Sequence, residues 1–238
     1  PALQESLRMS NYRTAESPVS GLSAPSSVSA VQADAENVEL VGYVETPGTR
    51  GTDVAVSGDY AFVADGHLHM IDVSTPESPD KVWSSSLGAR AVEVSGEYAY
   101  ALPYSILVIY RIFDGWMGEA GRCELAPNLD DIALSGDYAY ATVRMGAEEG
   151  LRVVDVSDPF LPSEVGQYLT ENEWQPEGIA VSGEYAYVNV LLRVIDVSTP
   201  TNPRLVGFAS YGDEKGVAVG DGYVYAADWR GLHAIDIS

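Results

Sequence analysis

The 238-residue sequence predicts an all-β fold, a five-bladed β-propeller, and three observations carry that prediction. First, one strand-turn-strand motif recurs five times: VAVSGDYAFVADGHLHMIDVS from Val54, VEVSGEYAYALPYSILVIYRI from Val92, IALSGDYAYATVRM from Ile132, IAVSGEYAYVNVLLRVIDVS from Ile179 and VAVGDGYVYAADWRGLHAIDIS from Val217. Second, the equivalent residues Val56, Val94, Leu134, Val181 and Val219 are separated by steps of 38, 40, 47 and 38 residues. A period near 40 with several short strands per repeat is the signature of propeller blades. Third, proline-bearing turns (STPESP, SDPFLP, STPTNP) follow the motif, and each leads into one further apolar strand.

Each repeat therefore reads as strands a, b, c and an outer strand d. The d strands are KVWSSSL from Lys81, EVGQYLT from Glu164 and RLVGFAS from Arg204. The expected blades are 54–87, 92–127, 132–170, 179–211, and 217–238 together with 38–46. The last blade stops after strand c, whereas Val38–Thr46 (VELVGYVET) is a d strand with no blade of its own. It is expected to pair with Leu232–Ile237 and close the ring, because an open ring leaves two sheet edges unpaired. Strand b carries Tyr98-Ala99-Tyr100, Tyr138-Ala139-Tyr140 and Tyr185-Ala186-Tyr187, with Tyr60-Ala61-Phe62 and Tyr223-Val224-Tyr225 as variants. Alternation sends aromatics to one face and small residues to the other, so stacked blades interdigitate. Gly58, Gly96, Gly136 and Gly183 sit in Ser-Gly-Asp/Glu hairpin turns, where glycine takes positive φ.

The pattern VSGDYAYVA…LRVIDVSxPxxPxLVG resembles the LVIVD-repeat family of bacterial and archaeal β-propellers, over about 38 to 238. The resemblance implies the fold and an exported or surface location more than any activity. The second blade departs from the pattern, with Tyr110-Arg111-Ile112-Phe113 where the others have Asp-Val-Ser and with DGWMGEAG in place of the proline turn. The third carries an insertion, Arg144–Glu149, and a long connection, TENEWQPEG, follows it.

Composition narrows the function. Net charge is −22, with two lysines, Lys81 and Lys215, so nucleic acid and anionic lipid are repelled. Thirty-five carboxylates repelling one another predict a thermal midpoint that rises between dilute buffer and molar salt. A midpoint that stays put on adding salt would contradict this. One cysteine, Cys123, excludes an internal disulfide, and no apolar run is long enough to span a membrane as a helix. Pro1 reads as a processed N-terminus, so export is expected. Residues 1–37 are Ser-, Ala- and Pro-rich without periodicity, and read as an extended arm with scattered apolar anchors at Leu3, Leu7, Met9, Tyr12, Val19 and Leu22. The arm is expected to contact neighbouring protein subunits.

Among polar residues, Asp72, Asp155, Asp196 and Asp236 recur at one repeat position and are expected to satisfy the N–H groups of the following turn. The histidines are His67, His69 and His233. His69 and His233 share a repeat position that holds Arg152 and Arg193 in the third and fourth blades. A zinc site wants three or four ligands, so no metal and no cofactor are expected. The most informative slot stands two residues before strand a: Thr52, Arg90, Asp130, Glu177 and Lys215. Strand a is innermost, so this slot lies at a channel mouth and could bind a small polar ligand. Glu93, where other repeats have alanine, is expected to be half-buried near Arg90.

No nucleophile–base set or phosphate-cradling loop is present, and the expected function is non-catalytic: an interaction subunit of an extracellular or surface assembly. Two alternatives stand beside it. One is a ligand- or glycan-binding propeller using the channel mouth, with Trp116, Trp174 and Trp229 as stacking surfaces. The other is a glycoside hydrolase using Asp130, Asp131 or Glu177 as acid and base.

Overall fold

The computed structural model describes residues 40–46, 51–144, 148–170, 175–189, 191–209, 216–228 and 231–237. The expected arm, 1–37 with Leu3, Leu7, Met9, Tyr12, Val19 and Leu22, lies outside the described residues. The described residues are all-β and contain no helix long and apolar enough to cross a membrane.

The strands form antiparallel meanders. The first sheet is β1 (Asp53–Ser57), β2 (Tyr60–Ala64), β3 (Leu68–Asp72) and β4 (Asp80–Ser84). The second is β5 (Ala91–Ser95), β6 (Tyr98–Leu102), β7 (Ile106–Phe113) and β8 (Trp116–Glu124). The third is β9 (Leu129–Ser135), β10 (Tyr138–Val143), β11 (Gly150–Asp155) and β12 (Ser163–Leu169). The fourth is β13 (Ile179–Ser182), β14 (Tyr185–Val188), β15 (Arg193–Asp196) and β16 (Arg204–Phe208). The fifth has three strands among the described residues: β17 (Gly216–Gly220), β18 (Tyr223–Asp228) and β19 (Gly231–Asp236). First strands of successive sheets stand side by side, β1 by β5, β5 by β9, β9 by β13 and β13 by β17. The result is a β-propeller-like succession of sheets.

Apolar burial explains the succession. Each sheet presents small residues on one face and bulky ones on the other, and neither face is buried until a second sheet covers it. Tyr100, Leu102, Leu107 and Ile109 of the second sheet pack on Leu129, Ile132, Ala139 and Val154 of the third. Phe62, Leu68 and Met70 of the first pack on Val92, Ala99 and Val108 of the second. The third and fourth sheets repeat this with Tyr140, Leu151, Val153, Ile179 and Ala186. The glycine turns form as expected, with φ of 56°, 58°, 57° and 58° at Gly58, Gly96, Gly136 and Gly183. The aspartate turns form too. Asp72, Asp155 and Asp196 accept the N–H of Ser74, Ser157 and Ser198 at 2.8, 2.9 and 2.9 Å. Hydrogen bonds from those serines' hydroxyls, and then from their N–H groups, hold the three carboxyls below their usual range.

Every four-stranded sheet has a bulge in its outer strand, one residue before the position opposite the middle of strand c. That position is Trp83, Gly121, Gly166 and Gly207, paired with Met70, Ile109, Val153 and Val194. A Cβ on Gly121 would collide with the carbonyl of Pro159, and one on Gly166 with that of Pro200. The outer strand of one sheet thus lies under the proline turn of the next, with room for hydrogen only. The second sheet lacks a proline turn, and there the glycine becomes Trp83, whose ring meets Tyr110 edge-on at 5.4 Å.

Two details depart from the regular repeat. Residues 40–46 carry no strand assignment, and the fifth sheet has three strands among the described residues. Gly42 lies under Pro76 and Pro79 of the first sheet's turn. The alignment of the second repeat also shifts by one: Arg111, not Tyr110, faces Tyr98 as Asp72 faces Tyr60.

Candidate functional site

The slot before strand a is built by continuing the first ladder one step. Thr52 and Arg90 donate their N–H groups to Ala64 O and Leu102 O at 2.7 and 2.9 Å, and the Thr52 hydroxyl also donates to Ala64 O. In the third sheet the ladder breaks. Ile132 faces Ala141 but Leu129 faces Val143, so a bulge re-aims this end of β9. The Asp131 N–H donates to the Thr142 hydroxyl at 3.0 Å instead of to a ladder carbonyl. Asp130 is thereby turned inward and buried. In the fourth sheet the Asn189 side-chain oxygen accepts the N–H groups of Glu177 and Gly178 at 2.8 and 2.7 Å, fixing Glu177 in the same ring.

Three of the five expected residues, Thr52, Arg90 and Asp130, line one cavity of about 440 Å³. Asp65, Tyr104, Asn128 and Arg144 line it with them. Glu177 reaches the same cluster through Arg144, whose guanidinium lies 2.7 Å from its carboxylate. Lys215 lies outside the described residues. Arg90 Nε contacts Asp130 Oδ1, an ion pair in which that oxygen finds no hydrogen-bond geometry. Burial pushes the Asp130 carboxyl up to about 6, against the pull of Arg90 and Arg144. Asp130 is therefore a carboxylate at neutral pH that takes up a proton in mild acid.

Asp131 has another task. Its two oxygens accept the N–H of Ile132 at 2.8 Å and the N–H of Ile179, in the next sheet, at 2.9 Å. Asp53 does the same between the first and second sheets, accepting from Val54 and Val92 at 2.9 Å each. These carboxylates clasp neighbouring innermost strands. Glu93 is half-buried, facing Tyr100 across β5 and β6.

The repeat position did not reveal the lining residues Asp65, Tyr104, Asn128 and Arg144. Tyr104 sits on the β6–β7 turn with 68% of its surface exposed and is tied to the third sheet where its carbonyl accepts Leu129 N–H at 3.2 Å. Arg144 comes from the insertion of the third repeat and is placed by a 2.9 Å bond from its N–H to Asn128 O. Asp65 is buried beside His69, with 2.8 Å between Oδ1 and Nε2. Only the insertion was visible as a departure in the repeat. Trp116, named as a stacking surface, lies flat on Phe113 at 4.2 Å and does not line the cavity; Trp174 and Trp229 lie outside the described residues.

The LVIVD repeat signature matches residues 50–84, 128–170, 176–209 and 211–238, skipping the divergent second sheet. No curated protein matches the sequence. Among solved structures, a functionally unknown protein from Desulfotomaculum acetoxidans is 14% identical, with a TM-score of 0.65 over 77% of this chain and 64% of that one. A protein from Lactobacillus plantarum is 14% identical, with a TM-score of 0.67 over 81% and 72%. BamB from Moraxella catarrhalis is 14% identical, with a TM-score of 0.59 over 83% and 62%. The chain spans less than two thirds of the first and third of these. At such identities the likeness is one of fold.

Proposed function

This chain belongs to the LVIVD repeat family, and from that premise we propose that it is an exported, non-catalytic interaction propeller whose mouth cavity holds a small polyhydroxylated group, as found on surface glycans. The observation that carries this reading is the cavity itself. It offers an exposed aromatic face at Tyr104 and convergent hydrogen-bonding groups at Arg90, Asn128 and Asp130. An aromatic surface beside charged donors and acceptors suits a sugar, which has one apolar face and hydroxyls around its rim. The volume is right for a small ligand.

The ring is proposed to have five blades, with Val38–Thr46 in the outer position of the last. Gly42 supports this, since it meets the first sheet's proline turn as Gly121 and Gly166 meet the turns that follow them.

Glycan-array binding tests the functional reading. Wild-type protein should bind a restricted set of glycans at pH 7.5. Binding should weaken several-fold at pH 5, because Asp130, titrating at about 6, becomes neutral and loses its charge-assisted acceptor bonds. An array with no binding would overturn the reading. Turnover of a glycoside, abolished by Glu177→Gln, would replace it with hydrolysis. Against that alternative, both Asp131 oxygens are already engaged by backbone N–H groups.

A second reading, the subunit of a larger assembly, is favoured by β16, an outer strand that leaves Val206 and Phe208 56% and 73% exposed. Such an apolar strand suits another protein surface.

A further inference from the structure

We infer that Asp65, His67 and His69 form a binding site for a divalent transition metal, with zinc as the fitting ion, at the edge of the mouth cavity. One donor atom from each lies within 4.8 Å of the other two. Two imidazoles and one carboxylate are a zinc-type donor set, with a fourth position open to water or ligand.

The local chain builds this set. Gly66, at φ +99°, turns the backbone tightly between Asp65 and His67. The Asp65 N–H donates to His67 O at 3.0 Å, and the His67 N–H to Asp65 Oδ1 at 3.2 Å. Gly66 N–H donates to Ala89 O at 3.2 Å, which anchors the turn on the neighbouring sheet beside Arg90. His67 and His69 are two residues apart, with ring centroids 6.1 Å from each other. His69 and Asp65 are 1% and 2% exposed, so two donors are held rigidly, while His67 is exposed and free to swing. Bonds of 2.0–2.1 Å in tetrahedral geometry place donors roughly 3.4 Å apart, so Asp65 Oδ1 and His69 Nε2, hydrogen-bonded at 2.8 Å, exchange that bond for the ion by moving slightly apart. The Ser84 hydroxyl lies 2.7 Å from His69 Nδ1 and orients the ring so that Nε2 faces the site.

The repeat shows what is particular to this sheet. His233 and Asp228 of the fifth sheet copy His69 and Asp65, with 3.1 Å between them, so the pair alone is a structural element of the fold. The counterpart of His67 there is Gly231. Among the described residues a third donor joins the pair in the first sheet, where the turn borders the cavity. An acidic protein of net charge −22 also concentrates cations at its surface.

Zinc titration of chelator-treated full-length protein tests this, in excess magnesium so that surface carboxylates are occupied. One zinc per chain should bind. His67→Ala, at an exposed position that leaves the fold intact, should weaken zinc binding at least tenfold, and His233→Ala should leave it unchanged. Zinc should also raise the thermal midpoint of the wild type but not of His67→Ala. Absence of stoichiometric binding, equal binding by His67→Ala, or an equal loss in His233→Ala would each overturn the site. The readout is the metal alone, so it is independent of whether the cavity takes a glycan.

Discussion

Gly166→Ala should destabilise the protein by about 3 kcal/mol, the upper range for forcing an extra carbon into a close-packed site. The new Cβ meets the Pro200 carbonyl oxygen, a backbone atom that no rotamer change can move. Gly207→Ala is the internal control, because its Cβ would find only Val194 at an ordinary 3.9 Å. Denaturant unfolding of both variants should therefore separate two glycines that occupy the same repeat position. Gly42→Ala carries the larger consequence. If Val38–Thr46 occupies the outer slot of the last blade, this variant loses about as much stability as Gly166→Ala. A change near zero would mean that the segment does not seat there in solution.

Asp131→Ala should cost roughly 3 kcal/mol, because it removes the acceptor of two backbone N–H groups at once, each worth about 1–3 kcal/mol when left unsatisfied. One belongs to its own strand and one, Ile179, to the next sheet. Asp131→Asn should recover only part of the loss, since the amide offers one acceptor oxygen and turns a donor toward the other N–H. Thermal unfolding of the two variants distinguishes this clasp from a catalytic carboxylate. A stability unchanged in Asp131→Ala would show that the clasp contributes nothing.

The sheets were legible because their cause is local and repeated. Alternation in VSGEYAY sets two strands and one glycine turn, and five copies at one period leave little else for the chain to do. The aspartate turns were legible for the same reason. The site was legible in part: Thr52, Arg90 and Asp130 share a repeat position, so they share a place at the mouth. What could not be read were departures from the repeat. The bulge that buries Asp130 depends on Thr142, in another strand, accepting the Asp131 N–H. Arg144 reaches Glu177 across two sheets, and Asp65 meets His69 from the other side of a hairpin. The missing ladder at 40–46 belongs to the same class, because a period says which strand is absent and not how firmly a distant segment replaces it.

Recognition at the mouth cavity is tested by calorimetric titration of the strongest array glycan into wild type, Tyr104→Ala and Trp116→Ala. Stacking on an aromatic ring is worth about 0.5–1.5 kcal/mol beyond burial. Tyr104→Ala should therefore weaken binding by roughly two- to tenfold, whereas Trp116→Ala, which alters a ring stacked on Phe113 away from the cavity, should leave the affinity unchanged. Binding lost in Trp116→Ala and kept in Tyr104→Ala would contradict recognition at the cavity.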